Sequence, residues 1–206
     1  MTKPSEEGQI WEWRAFGEIP DELAAKIRAY PIRLGVSDIE GEDIYLVSPN
    51  NDQNVKFRKY PGGWVLKFKL LLETKTGAFE LYNERPEFTY RLPVSGDLLK
   101  EAARLLAVEL PETGGAAGSF NELEFVNVFA QATPQVVECR VAKRRSQYQF
   151  ENGWLELARV KFRRRAIDSI SVHSRDLGLV ERMLDSLRPG NELQAMNYLE
   201  ACRRWG

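Results

Sequence analysis

The sequence predicts an α+β protein built on an antiparallel β-sheet that closes, or nearly closes, into a barrel of about eight to nine strands with amphipathic helices packed outside. Three observations predict it. Alternating segments recur along the chain and short turn signals join them, which is hairpin spacing. The helical segments each carry one apolar stripe, and each stripe needs an apolar surface to cover. In the stretch NVKFRKYPGGWVLKFKLLLET, cations recur at every second position: Lys56 and Arg58 before Pro61-Gly62-Gly63, Lys67 and Lys69 after it. Residues at i and i+2 share a strand face. One face is therefore cationic, and the other carries Val55, Phe57, Leu66, Phe68 and Leu70.

The elements follow in order. Gln9 to Gly17 reads as a first strand with Ile10, Glu12 and Arg14 on one face and Trp11, Trp13 and Phe16 as nearby apolar surface. Pro20-Asp21-Glu22 opens a helix through Ala29, with proline and acids where a first turn favours them. Gly41 to Val47 is a strand closed by the turn at 49–52, and the cationic hairpin comes next. Its register is open. A loop of Gly62-Gly63 sets Arg58 opposite Lys67 and Lys56 opposite Lys69, a like-charge ladder that asks for a bound anion or interleaved carboxylates. A loop one residue longer sets cations opposite apolar residues. Ala78 to Tyr82 and Phe88 to Arg91 are further extended pieces, and Ser95 caps a helix bearing Leu98, Leu99, Ala102, Leu105 and Leu106. The Gly-rich loop at 111–119 divides one domain, 1–206, into strand-rich halves at 9–110 and 120–206. In the second half, Leu123 to Gln131, Val136 to Phe150, Trp154 to Phe162 and Ile167 to Val172 carry strand residues, with a hairpin turn at Asn152-Gly153. Leu177 to Leu187 is a helix. Asn191, with Gln194 three residues on, has the spacing of a capping box for a last one.

Helices covering the apolar sheet face outside would leave Lys56, Arg58, Lys67, Lys69, Lys143 and Arg145 lining an interior. Buried charges must be paired or must bind something. A barrel with a charged interior is thus a ligand site. Composition excludes other classes. The net charge of −1 gives no global field for nucleic acid or acidic membranes. Nine basic residues do crowd the stretch between Cys139 and Arg165 against Glu151 and Glu156, but Arg163-Arg164-Arg165 reads as a solvated turn. No apolar run spans a membrane, and MTKPSEEGQ lacks the core of a signal peptide, so a cytoplasmic protein with free Cys139 and Cys202 is expected. One histidine, His173, with two cysteines at no ligand spacing makes no zinc site.

The order of motifs resembles a known family. Alternating charge on the first strand (Glu12, Arg14) is followed by Asp43-Ile-Tyr45-Leu46 and by Val-Lys-x-Arg (Lys56, Arg58). A Lys-x-Lys strand (Lys67, Lys69), a strand with Glu80 and Val-x-Lys-x-Arg-x-x-Tyr (Lys143, Arg145, Tyr148) complete the series. From Gln9 to about Leu187 this is similar to the CYTH superfamily, the triphosphate tunnel metalloenzymes. The resemblance implies an eight-stranded tunnel that hydrolyses or cyclises triphosphate compounds with Mg²⁺ or Mn²⁺. It implies phosphate-gripping roles for Arg14, Lys56, Arg58, Lys67, Lys69, Lys143 and Arg145, and catalytic or metal-binding roles for Glu12 and Glu80. The sequence departs from the pattern in its acids. Where the family has Glu-x-Glu-x-Lys, this chain has Ile10, Glu12 and Arg14. Where a late strand has paired glutamates, it has Ser169-Ile-Ser171-Val-His173, and Glu156 on the strand before is out of register. Glu84 or Glu138 would be the remaining acids. Hard divalent cations want several carboxylate oxygens, so the cationic half of the site survives better than the acidic half.

The expected function is binding of a nucleotide, triphosphate or polyphosphate in a basic tunnel, with weak metal-dependent phosphohydrolase activity left open. Two alternatives stand beside it. One is a non-catalytic binding module on the same scaffold. The other is a lipocalin-like barrel for an apolar or pigment-like ligand, which turns Trp11, Trp13, Phe57, Trp64 and Phe68 inward and the cations outward.

Overall fold

The computed structural model describes residues 8–35, 37–110 and 118–206. The loop expected at 111–119 lies outside the described residues apart from its last two positions. The strands are β1 (Gln9–Gly17), β2 (Ile39–Val47), β3 (Asn54–Tyr60), β4 (Gly63–Lys75), β5 (Phe79–Asn83), β6 (Thr89–Arg91), β7 (Val94–Ser95), β8 (Ser119–Phe120), β9 (Val137–Phe150), β10 (Gly153–Lys161), β11 (Ala166–Ser174) and β12 (Leu193–Ala195). The helices are α1 (Asp21–Arg28), α2 (Gly96–Leu106), α3 (Glu122–Ala132), α4 (Leu177–Leu187) and α5 (Tyr198–Trp205). Antiparallel pairing runs β1-β5-β4-β3-β2-β9-β10-β11 and returns to β1, so eight strands close a barrel. Strands β6 and β12 lie on the edges of β4 and β1, and β7 pairs with β8 apart from it.

Period-two alternation sorts every strand into an outer and an inner row. The outer row is apolar under the helices. Ile44, Leu46, Val55, Phe57, Leu66 and Phe68 form one core with α2 and α3. Trp11, Trp13, Leu155, Ile170 and Val172 form another with α1 and α4. Trp11, Trp13 and Phe57 thus pack under the helices, the opposite of the inward facing that the apolar-cavity alternative expects. The inner row changes character along the barrel. At one end Phe16, Tyr45, Val47, Val141, Val160 and Ile167 point inward and enclose α5 through Tyr198, Leu199, Cys202 and Trp205. At the other end the same rows continue as Arg14, Glu12, Asp43, Lys143, Glu156 and His173, all buried. Phe16 thus belongs to the inner face, and α5 stoppers the barrel where an outer position is the simpler expectation.

The cationic hairpin takes neither expected register. Tyr60 pairs with Gly63 around a Pro61-Gly62 loop, and the positive φ of Gly63, 116°, is a conformation that glycine adopts without strain. Lys56 therefore faces Lys67, Asn54 faces Lys69 and Arg58 faces Val65. The shift is by two residues, so the cations keep the inner face.

Two other elements differ from expectation. Residues 123–131 are the helix α3, because Asn121 and Glu124 close a capping box and Phe125, Val126 and Phe129 make one buried stripe. The β-branched and aromatic content of that segment reads as strand until the cap is weighed. The final capping box is Asn197 with Glu200 rather than Asn191 with Gln194, and Leu193–Ala195 joins β1 as β12. Gly17 permits that junction, since a Cβ there would lie 2.2 Å from the Glu192 carbonyl oxygen. Arg163 and Arg164 sit in an exposed turn, as expected, and Cys139 and Cys202 are buried free thiols. Among the described residues, no helix is long and apolar enough to cross a membrane.

Candidate anion-binding site

The barrel encloses a cavity of about 800 Å³ whose floor is Tyr198 of α5 and Asn197, the residue that caps that helix. Its lining carries ten lysines and arginines against four glutamates. Seven of the cations are Arg14, Lys56, Arg58, Lys67, Lys69, Lys143 and Arg145, so the structure gathers from four strands the residues picked out by alternation. Glu12 lines the cavity with them. Glu80 faces Glu12 across the β1–β5 ladder. Glu138, by contrast, is on the outside with Arg140, 2.5 Å away.

The cations are held in two clusters, each around one carboxylate. Asp43 is the first centre. Arg58 forks onto both of its oxygens at 2.8 Å, Lys143 reaches Oδ2 at 2.7 Å, and Lys56 stands 3.7 Å away. Three cations around one anion hold Asp43 well below the usual carboxylate range against the opposing effect of burial. For Lys143, burial brings the pKa down to about 8, with the neighbouring Arg58 adding to the effect. Lys56 lies well below its ordinary range, first from burial and then from Arg58, Lys143 and Lys69. Glu156 is the second centre, taking Arg14 at 3.4 Å, Arg145 at 3.2 Å and the Gln147 amide at 3.0 Å. Arg14 also donates to Glu12 Oε1 at 2.8 Å and to Ser169 at 3.1 Å.

The floor is aromatic. Lys143 Nζ lies 3.5 Å from the centre of the Tyr198 ring and the Arg14 guanidinium 4.5 Å from it, while Tyr45 stacks beneath at 5.5 Å. Two cations on one ring are held by its negative face. The Tyr198 hydroxyl is buried with no hydrogen-bond partner, as are Asn54 Oδ1 and His173 Nδ1 on the walls. On another wall Trp154 lies between the His173 ring, 4.6 Å away and parallel, and the Arg33 guanidinium at 4.2 Å. Burial pushes the His173 imidazole down to about 4, so it is neutral near pH 7, with Nε2 2.8 Å from Ser171 Oγ.

Asp43, Glu156, His173, Arg33 and Tyr198 are the residues that sequence reasoning left out of the site. Asp43 and Glu156 sit in alternating strands, and their inward parity was there to read. Tyr198 belongs to a helix that no strand period could aim into a barrel.

The carboxylates do not fit a divalent cation. Glu12 accepts from Arg14 on one oxygen and from Lys69 on the other. Glu80 accepts from the Asn197 amide at 2.6 Å and from the Tyr82 hydroxyl at 2.8 Å, and burial raises its pKa. Glu84 is 2.6 Å from Lys69. Among the described residues, no three His, Cys, Asp or Glu side chains converge to hold an ion.

No family model matches the chain, and no curated protein does. Solved structures do. The fold is similar to that of a candidate adenylate cyclase from Bacillus halodurans, with a TM-score of 0.52 and 11% identity over 94% of this chain and 98% of that one. It is similar also to a conserved hypothetical protein from Pyrococcus furiosus, with a TM-score of 0.50 and 17% identity over 93% and 98% of the two chains. At these identities the likeness establishes the fold. It is the closed antiparallel tunnel, with helices outside, that the CYTH resemblance implies.

Proposed function

We propose that the cavity binds a phosphate-rich anion, a nucleotide, triphosphate or polyphosphate. One observation carries this reading: ten cationic side chains against four glutamates line one cavity, with Asp43 behind Arg58 and Lys143 as a further acid. A surplus of cations around one cavity favours a counter-ion, and phosphate oxygens suit both guanidinium forks and ammonium groups. Arg58 and Arg145 are the proposed forks, partly exposed toward the cavity at 16% and 23% of their side chains. Lys56 and Lys143 are the proposed deep ammonium contacts. Lys67 makes no ion pair among the described residues and is proposed as a further contact. Arg14 and Lys69 hold Glu12 between them and complete the set. The description of one fold neighbour as a candidate adenylate cyclase supports a nucleotide among the ligands to try. With the oxygens of Glu12 and Glu80 engaged, binding is favoured over turnover.

The test is a calorimetric titration with inorganic tripolyphosphate in EDTA and again with Mg²⁺, with released phosphate measured in the same samples. Saturable binding is expected. Arg58→Gln and Arg145→Gln should each weaken it roughly 10- to 100-fold, the worth of a charge-assisted contact of about 1.5–3 kcal/mol. Absence of binding by the unaltered protein at low ionic strength would overturn the reading, and phosphate release that requires Mg²⁺ would restore a hydrolase.

A further inference from the structure

The donor set that rejects a divalent ion has something in its place. Lys69 Nζ contacts Glu12 Oε2 and stands 2.6 Å from Glu84 Oε1, so one nitrogen bridges two carboxylates, as a metal ion would. We propose that the Lys69 ammonium is a built-in cation occupying the position of a divalent ion, so that the tunnel takes its phosphate ligand without metal. This rests on the anion-binding reading of the same cavity and adds a claim about the ion.

Four features support it. The Lys69 side chain is 12% exposed and lies 4.0 Å from the centre of the Tyr82 ring, so its ammonium is fixed by a carboxylate on each side and an aromatic face. Arg14 binds the other oxygen of Glu12, and together Arg14 and Lys69 bring two positive charges to that carboxylate, the charge of one Mg²⁺. Five of the six oxygens of Glu12, Glu80 and Glu84 are engaged by named donors, which leaves no set of open oxygens for a hard cation. An ammonium has three N–H groups. Two meet carboxylates, and the third is available to a phosphate oxygen in the cavity that Lys69 lines.

The decisive measurements are Mn²⁺ binding, followed by the paramagnetic resonance of the free ion, and tripolyphosphate affinity in EDTA and in Mg²⁺. The unaltered protein is expected to bind no stoichiometric Mn²⁺ and to hold tripolyphosphate in EDTA at least as tightly as in Mg²⁺. Lys69→Met should release Glu12 and Glu84, take up Mn²⁺, lose at least tenfold in tripolyphosphate affinity in EDTA, and recover it when Mn²⁺ is added. Stoichiometric Mn²⁺ on the unaltered protein, with tripolyphosphate binding that disappears in EDTA, would overturn the proposal. So would a folded Lys69→Met protein that ignores Mn²⁺. If the variant does not fold, the measurements on the unaltered protein decide the matter by themselves. Tripolyphosphate that binds under neither condition would remove the anion site itself, a result distinct from a metal requirement.

Discussion

Lys56 shows what this tunnel costs the free protein. It is 7% exposed, its nearest carboxylate oxygen is 3.7 Å away, and Arg58, Lys143 and Lys69 all bear on it. A buried cation so weakly compensated is better replaced, for stability, by an apolar side chain of similar length. Lys56→Met should therefore raise the melting temperature, by the equivalent of about 1–3 kcal/mol, while cutting tripolyphosphate affinity at least tenfold. Loss of both stability and affinity would contradict it. The same imbalance sets a pH dependence. In the free protein Lys143 titrates at about 8 against an ordinary 10.5, so the unfolded chain binds more protons between those values, and stability rises with pH across that window. An anion beside Lys56 and Lys143 pulls their pKa values up again. Binding near neutral pH should take up protons, and affinity should fall as pH rises through about 8. Titration heats that are the same in buffers of different ionisation enthalpy would contradict this. At this scale the sequence was generous with cations, since spacing two puts them on one face. It was silent on their partners, because the pairing of Lys143 with Asp43 spans 100 positions and depends on β9 lying beside β2.

Among the elements, α5 is the one whose loss would be felt in the site. Asn197 caps it through Glu200 and, with the same side chain, donates to Glu80 on the barrel wall. Asn121 makes the equivalent capping box on the outer helix α3, far in the sequence from any cavity residue. Removing either cap should cost about 0.5–2 kcal/mol. Asn197→Ala should additionally strand a buried Glu80 oxygen, weaken tripolyphosphate binding and speed the reaction of the buried Cys202 thiol with an aromatic disulfide reagent, whereas Asn121→Ala should leave both unchanged. Equal thiol kinetics in the two variants would count against a stopper role for α5. Strands with clean alternation, such as β1, β3 and β10, were legible to within a residue or two. The helix α3 was not, because Phe125, Val126, Val128 and Phe129 satisfy strand preference and helical burial alike. The bounds of α5 were missed because two Asn-initiated capping signals lie six residues apart and only tertiary pairing of 193–195 with β1 chooses between them.

For the whole molecule, the closed barrel was foreseeable from hairpin spacing and a two-faced charge pattern, and the closure of β11 onto β1 is what turns a cationic sheet face into an enclosed volume. What no pattern foretold is that the inner row runs from ionic to apolar, leaving the barrel charged at one end and filled by α5 at the other. Among the described residues, a tube stoppered in this way leaves no exit opposite its entrance. Were the proposed anion a linear polymer, it could not be threaded through, and only its ends would reach the deep cations. Capacity for such a polymer would then scale with the number of molecules and not with the number of repeating units they contain.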